Sequence, residues 1–225
     1  MSSERIRKLT TLAILSAMAY VVMVFIKVPM FPGVPAVSFL NYEPKDVVIA
    51  IGGFLFGPLA GMAISVVVAL VEMVTVSTTG IYGAIMNALS SCTFACTAAF
   101  VYKKWRKLPG AATGLACGIV ITVPVMLLWN YLIVPIYTGA PRDYVATLLV
   151  PYFLPFNLLK YGLSAAITML LYRPIRVALD KSRLLPAPPP VEGAKRARVN
   201  IGVILISALI IITCVLVLLS SRGVI

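Results

Sequence analysis

Val47-Val-Ile-Ala-Ile-Gly-Gly-Phe-Leu-Phe-Gly-Pro-Leu-Ala-Gly-Met-Ala-Ile-Ser-Val-Val-Val-Ala-Leu-Val-Glu-Met-Val-Thr75 is the stretch on which the fold turns. It is apolar apart from Ser65, Glu72 and Thr75, and Gly52, Gly53, Gly57, Pro58 and Gly61 crowd its first half. Read as one membrane crossing, it places the basic cluster Lys103, Lys104, Arg106 and Lys107, one span later, on the outer side. Read as two shorter crossings joined around Phe56-Gly57-Pro58, it returns that cluster to the cytoplasm, where basic residues collect. The hairpin is the expected reading.

Composition requires a membrane setting. Of 225 residues, 61% are hydrophobic and 12% charged, and the mean hydropathy is +1.03. Soluble domains carry roughly 25% charged residues. The net charge of +12 lies in short clusters between apolar spans, which reads as orientation in a bilayer and not as nucleic-acid binding. The chain has no histidine, which excludes imidazole metal sites and His-dependent catalysis. Cys92, Cys96, Cys117 and Cys214 fall within apolar spans without metal-ligand spacing and read as packing residues. No metal or cofactor is expected.

The other crossings follow from the hairpin. Span one covers Leu9 to Val28, behind Arg5, Arg7 and Lys8, which places the N-terminus in the cytoplasm; it reads as a retained span and not a signal peptide. Span four runs from Gly80 to Tyr102, span five from Gly110 to Ile136, and span six from Tyr152 to Tyr172. An external loop rich in proline and aromatics, Pro29 to Pro44, is too stiff for a flexible linker and too apolar for a solvated one. Fourteen of the nineteen basic residues then face the cytoplasm, and Lys27, Lys45, Arg142 and Arg222 lie outside. The expected fold is an all-α integral membrane protein. It has a six-transmembrane-helix domain over residues 1–180, a basic, proline-rich cytoplasmic linker over 181–199, and a seventh C-terminal transmembrane helix over 200–225.

Lys160 is the only charged residue between Asp143 and Arg173. An ammonium at bilayer depth costs roughly 2.5–3.5 kcal/mol on insertion scales, so such a residue ordinarily faces a cavity or a partner. Asn157 shares its helical face. Asn130 near the outer end of span five, Asn87 in span four, and Asn41 with Tyr42 at the end of the external loop converge at that depth, with Phe39, Trp129, Tyr131, Tyr152 and Phe156 nearby. Amides read the edge of a planar heterocycle, apolar side chains cover its faces, and a lysine donates to a carbonyl. The set fits a flat, mostly neutral small molecule. Acids are not expected at this depth, the partner of Lys160 is expected to be a ligand carbonyl, and Glu72 is given no role. Ala13 and Ala17 form a small-residue face on span one, and Gly53, Gly57 and Gly61, like Gly110, Gly114 and Gly118, recur every four residues, a spacing that allows close helix packing.

Five motifs together resemble a known family: Phe39-Leu-Asn-Tyr-Glu-Pro-Lys-Asp, Ile51-Gly-Gly-Phe-Leu-Phe-Gly-Pro-Leu-Ala-Gly, Gly83-Ala-Ile-Met-Asn, Trp129-Asn-Tyr and Phe156-Asn-Leu-Leu-Lys. In order and spacing, over about residues 8 to 178, they are similar to the riboflavin-specific S components of energy-coupling factor (ECF) transporters. The resemblance implies a bundle that captures riboflavin from outside and docks on one transmembrane coupling protein and two cytoplasmic ATPases. It implies that Asn130, Asn157 and Lys160 hydrogen-bond the isoalloxazine ring, with Asn87 a further contact. Leu40, Asn41 and Tyr42 would form the lid, and Ala13 with Ala17 would meet the partner. It also implies no hydrolysis by this chain, in keeping with the lack of a Gly-rich phosphate loop; the chain is not expected to be an enzyme. The seventh span departs from the six-helix family core.

Three other readings are set beside it. An S component for another heterocycle, thiamine or biotin, is the nearest; thiamine is a cation that Lys160 would repel. An intramembrane enzyme would need a cluster of acids or a nucleophile with its base at one depth. A purely structural protein would have no use for the convergent amides. The expected location is the bacterial plasma membrane.

Overall fold

The chain reverses at Gly57, where φ is +95° and a side chain would be strained, and Pro58 opens the next helix at a position where its missing N–H costs nothing. α2 (Lys45–Phe56) and α3 (Pro58–Thr75) lie on either side of this break, which falls where the sequence reading put it. The computed structural model describes residues 3–31, 33–181 and 201–221. Its other helices are α1 (Ser3–Phe25), α4 (Gly80–Lys104), α5 (Leu108–Thr138), α6 (Arg142–Leu148), α7 (Leu154–Lys181) and α8 (Ile201–Ser221). β1 (Val28–Pro29) and β2 (Asn41–Tyr42) pair antiparallel, Val28 opposite Tyr42, and close the loop between α1 and α2. Met30, Val37, Leu40 and Tyr42 of this loop are buried, so it packs as part of the core.

α2 lies at the centre, against α1, α3, α4 and α7. Every residue from Lys45 to Phe54 is buried, which explains a helix apolar on all faces. Its twelve residues span about 18 Å, well short of the ~30 Å hydrocarbon core. Among the described residues, five segments are by length and composition fit to cross a membrane: Glu4–Phe25, Pro58–Thr75, Gly80–Lys104, Leu108–Thr138 and Arg142–Ile175. The architecture is therefore mostly helical, with five such segments among the described residues. The expected second crossing is a short helix enclosed by the others.

Small residues bring the helices together. A Cβ on Gly53 would lie 3.1 Å from the Cβ of Ala99, and one on Gly61 would lie 3.4 Å from the Cα of Gly53, so α2, α3 and α4 meet almost backbone to backbone. Gly114 and Gly118 of α5 face the carbonyls of Ala98 and Phe94 on α4, where a Cβ would sit 2.5 and 3.0 Å from those oxygens. Gly57 and Gly110 do not share these faces: the first makes the reversal, and the second packs on the Trp105 carbonyl in the turn between α4 and α5. Ala13 and Ala17 lie on the exposed side of α1, beside Ile14 and Met18.

The sixth crossing begins earlier than expected. Helix starts at Arg142, and a wide π turn over Leu149–Phe153 joins α6 to α7. Pro151 and Pro155 lack the N–H that a regular α-helix needs, and the wide turn accommodates that break. α8 packs on α7, and its Cys214 enters the apolar cluster formed by Leu163 of α7 with Leu40 and Tyr42 of the loop. The linker expected over 181–199 lies outside the described residues except for Lys181, and so does Arg222.

Gly114→Ala is expected to lower stability by about 1–3 kcal/mol, because the added methyl meets backbone and not a movable side chain. A Cβ on Gly162 would meet nothing within 4 Å, so Gly162→Ala is expected to be neutral or slightly stabilising through helix propensity. Thermal unfolding of both variants in detergent checks the contrast, and equal effects would contradict the packing described.

Candidate functional site

A cavity opens between the α1–α2 loop and the ends of α3, α4, α5 and α7. Helical spacing builds its walls. Gly83, Met86, Asn87 and Ser90 follow one face of α4; Met126, Asn130 and Tyr137 follow one face of α5; Phe156, Asn157, Lys160 and Tyr161 come from one side of α7. The loop adds Lys27, Phe39, Leu40, Asn41 and Glu43, and residues 77–79 edge the cavity between α3 and α4.

Six of the seven residues expected to bind ligand thus line one space: Asn130, Asn157, Lys160, Leu40, Asn41 and Asn87. Tyr42, the seventh, does not line it. The strand alternates sides, so Asn41 faces the cavity while Tyr42 packs behind it in the apolar cluster. Burial pushes the Tyr42 phenol up to about 12, so it stays a neutral donor. Of the nearby aromatics, Phe39 and Phe156 reach the cavity and Trp129, Tyr131 and Tyr152 do not.

The amides are held in place by their own helices. Asn130 Nδ2 donates to the Met126 carbonyl at 2.6 Å, and Asn157 Nδ2 to the Phe153 carbonyl at 2.7 Å. This ties down the nitrogen end of each amide. Asn130 Oδ1 is buried and has no hydrogen-bond partner in the protein. A buried acceptor left this way costs about 1–3 kcal/mol, a cost that a ligand N–H would offset.

The charges overturn one expectation. Acids do stand at this depth, and they pair with the lysines. Lys160 Nζ is 3.4 Å from Asp46 Oδ2 and lies over the Tyr161 ring, 5.4 Å from its centroid. Ser91 Oγ donates to the other Asp46 oxygen at 2.5 Å. Nearer the loop, Lys45 Nζ contacts Glu43 at 2.8 Å and Glu72 at 2.5 Å. Glu72 in turn accepts from Asn87 Nδ2 at 2.8 Å, and Glu43 lies 3.7 Å from Lys27. Lys160 therefore has a carboxylate of the protein as its counter-charge. Glu72 has a structural role, and Lys45, though outside the apolar spans in sequence, is only 1% exposed.

Asp46, Glu43, Lys45 and Ser91 were missed by sequence reasoning. Their one signal was Lys45-Asp46 directly after Pro44, a charged pair opening a helix with no other charge. A carboxylate in the first turn is favoured by the helix dipole, whereas a lysine there is disfavoured and needs compensating acids. Glu43 and Glu72 supply them. The cavity thus combines apolar side chains (Phe39, Leu40, Met86, Met126 and Phe156) with fixed amides, hydroxyls and two cations, Lys27 and Lys160, set against two acids, Glu43 and Glu72, an arrangement suited to holding a neutral, planar, polar-edged molecule.

Comparison with known proteins agrees in extent. The family model described as "ECF transporter, substrate-specific component" matches residues 7–172. The chain is 28% identical over 188 residues to the riboflavin transporter FmnP of Bacillus subtilis (strain 168), covering 80% of this chain and 97% of that one. It is 28% identical over 179 residues to the riboflavin transporter RibU of Staphylococcus aureus (strain TCH60), covering 77% and 92%. A solved S component of a bacterial ECF transporter superposes with a TM-score of 0.67 at 29% identity, over 78% of this chain and 98% of that one.

Lys45→Met leaves Glu43 and Glu72 facing each other without their shared cation. Breaking a buried ion pair from one side typically costs about 3–5 kcal/mol, so this variant is expected to melt well below the parent. Lys45→Met combined with Glu72→Gln is expected to recover part of the loss. A single variant that melts like the parent would show that the buried pair contributes little.

Proposed function

The chain belongs to the family of substrate-specific components of ECF transporters, and we propose that the vitamin it captures is riboflavin. The observation that carries this reading is the convergence of Asn130, Asn157 and Lys160 on one cavity, with a buried Asn130 oxygen lacking a partner. The pyrimidine edge of a flavin offers one N–H between two carbonyls. The Asn130 oxygen accepts the N–H, and the Asn157 amide and Lys160 ammonium serve the carbonyls. Phe39, Leu40, Met86, Met126 and Phe156 cover the ring faces, and Asn41 and Asn87 contact the ligand at the cavity rim. The names of the two relatives support riboflavin over other heterocycles. The charge argument against thiamine weakens, because Asp46 compensates Lys160; riboflavin rests on the amides and the relatives.

Family membership places the protein in a transport system, as a multi-pass membrane protein. The finer reading is that it catalyses nothing itself, sits in the bacterial plasma membrane with its N-terminus in the cytoplasm, and delivers riboflavin with one transmembrane coupling protein and two cytoplasmic ATPases. The exposed Ala13 and Ala17 face of α1 would meet that module. The six-plus-one arrangement counts α2 as the short second member of the bundle and α8 as the appended helix. The loop bearing Leu40, Asn41 and Tyr42 would be the lid, with Tyr42 anchoring it from behind.

Titration of protein first stripped of bound flavin against riboflavin, followed by quenching of flavin fluorescence, tests the assignment. Asn130→Ala, Asn157→Ala and Lys160→Ala are each expected to weaken binding by about 1–3 kcal/mol, roughly 5- to 150-fold. Folded parent protein that does not quench refutes riboflavin as the ligand, and three variants that all bind like the parent refute the site.

A further inference from the structure

Asp46 is fully buried and does not line the cavity, yet its carboxylate is the nearest counter-charge to the one lysine that does so from a membrane helix. The 3.4 Å separation is longer than a charge-assisted hydrogen bond, ordinarily about 2.7–2.9 Å, and Asp46 Oδ2 has no hydrogen-bond partner. The attraction therefore holds the ammonium without using up its short donor directions. The other oxygen is fixed by Ser91 from α4, and the first turn of α2 favours a carboxylate there. Three elements, α2, α4 and α7, meet at this one acid.

Removing that acid has a definite physical consequence. A lysine on a four-carbon stem, left without a counter-charge in a low-dielectric interior, swings toward water and takes its ammonium with it. We propose that Asp46, steadied by Ser91, is a positioning residue: it holds the Lys160 ammonium at the cavity floor and sets ligand affinity through it, without touching the ligand. This rests on the riboflavin reading for its ligand, but the pairing of Asp46 with Lys160 does not depend on that reading.

The test is a cycle of four proteins: parent, Asp46→Asn, Lys160→Met and the double variant. Each is titrated with riboflavin and melted without it. Asp46→Asn is expected to weaken binding about tenfold when Lys160 is present and less than about threefold in the Lys160→Met background. A purely structural Asp46 predicts the same loss in both backgrounds, and that result overturns the proposal, as does parent-like binding by Asp46→Asn. If Asp46→Asn does not fold, Ser91→Ala takes its place in the cycle, with a smaller loss expected only where Lys160 remains and an equal loss in both backgrounds overturning the idea. Parent protein that binds no riboflavin overturns the ligand reading instead. The ligand-free melts then decide the pairing on which the positioning role depends: non-additive shifts for Asp46→Asn and Lys160→Met support it, and additive shifts overturn the proposal.

Discussion

Charge buried away from water must be compensated where it stands, and the N-terminus of α2 is where this protein meets that constraint. α2 opens inside the packed bundle, against α1, α3, α4 and α7, and Lys45 and Asp46 are both in the interior, 1% and 0% exposed. Neighbours on a helix point about 100° apart, and the two side chains accordingly find different partners. Lys45 gathers Glu43 of the loop and Glu72 of α3; Asp46 gathers Ser91 of α4 and Lys160 of α7. Three cations, counting Lys27, balance three carboxylates along one side of the cavity. Without that balance the loop would have no polar anchor, and the cavity would carry a net charge.

The close helix contacts make this arrangement reachable. Gly53 and Gly61 bring α2, α3 and α4 together, and Gly114 and Gly118 bring α5 to α4. The helices bearing Glu72, Asn87 and Ser91 thus pack around α2, and α5 with Asn130 packs on α4 beside them. The alternating strand β2 then places Asn41 toward the cavity and Tyr42 in the apolar cluster behind, so the loop covers the site from a packed base.

Much of this was legible in the sequence. Gly57-Pro58 announced the reversal because glycine tolerates the left-handed backbone and proline suits a helix start. Lys160 announced a polar site because it was alone in an apolar span, and helical spacing tied Asn157 to it. Its partner was not legible: Asp46 lies far away in the chain, and only the tertiary fold brings the two together. The same holds for Glu72, whose role depends on Lys45 turning inward. The crossing count was legible only in part, since hydropathy scores a helix surrounded by protein and one surrounded by lipid alike; only its length distinguishes α2. Tyr42 was misplaced because a loop segment was read as a unit, whereas a strand sends adjacent side chains to opposite sides.

The central proposal is that an electrically balanced, amide-lined cavity in an ECF transporter substrate-specific component holds riboflavin. The absorption spectrum of protein purified from riboflavin-replete cells tests it most directly. A yellow preparation with flavin bands near one equivalent per chain is the predicted result. A colourless, folded preparation that gains no flavin absorption after incubation with riboflavin and removal of the excess would contradict it.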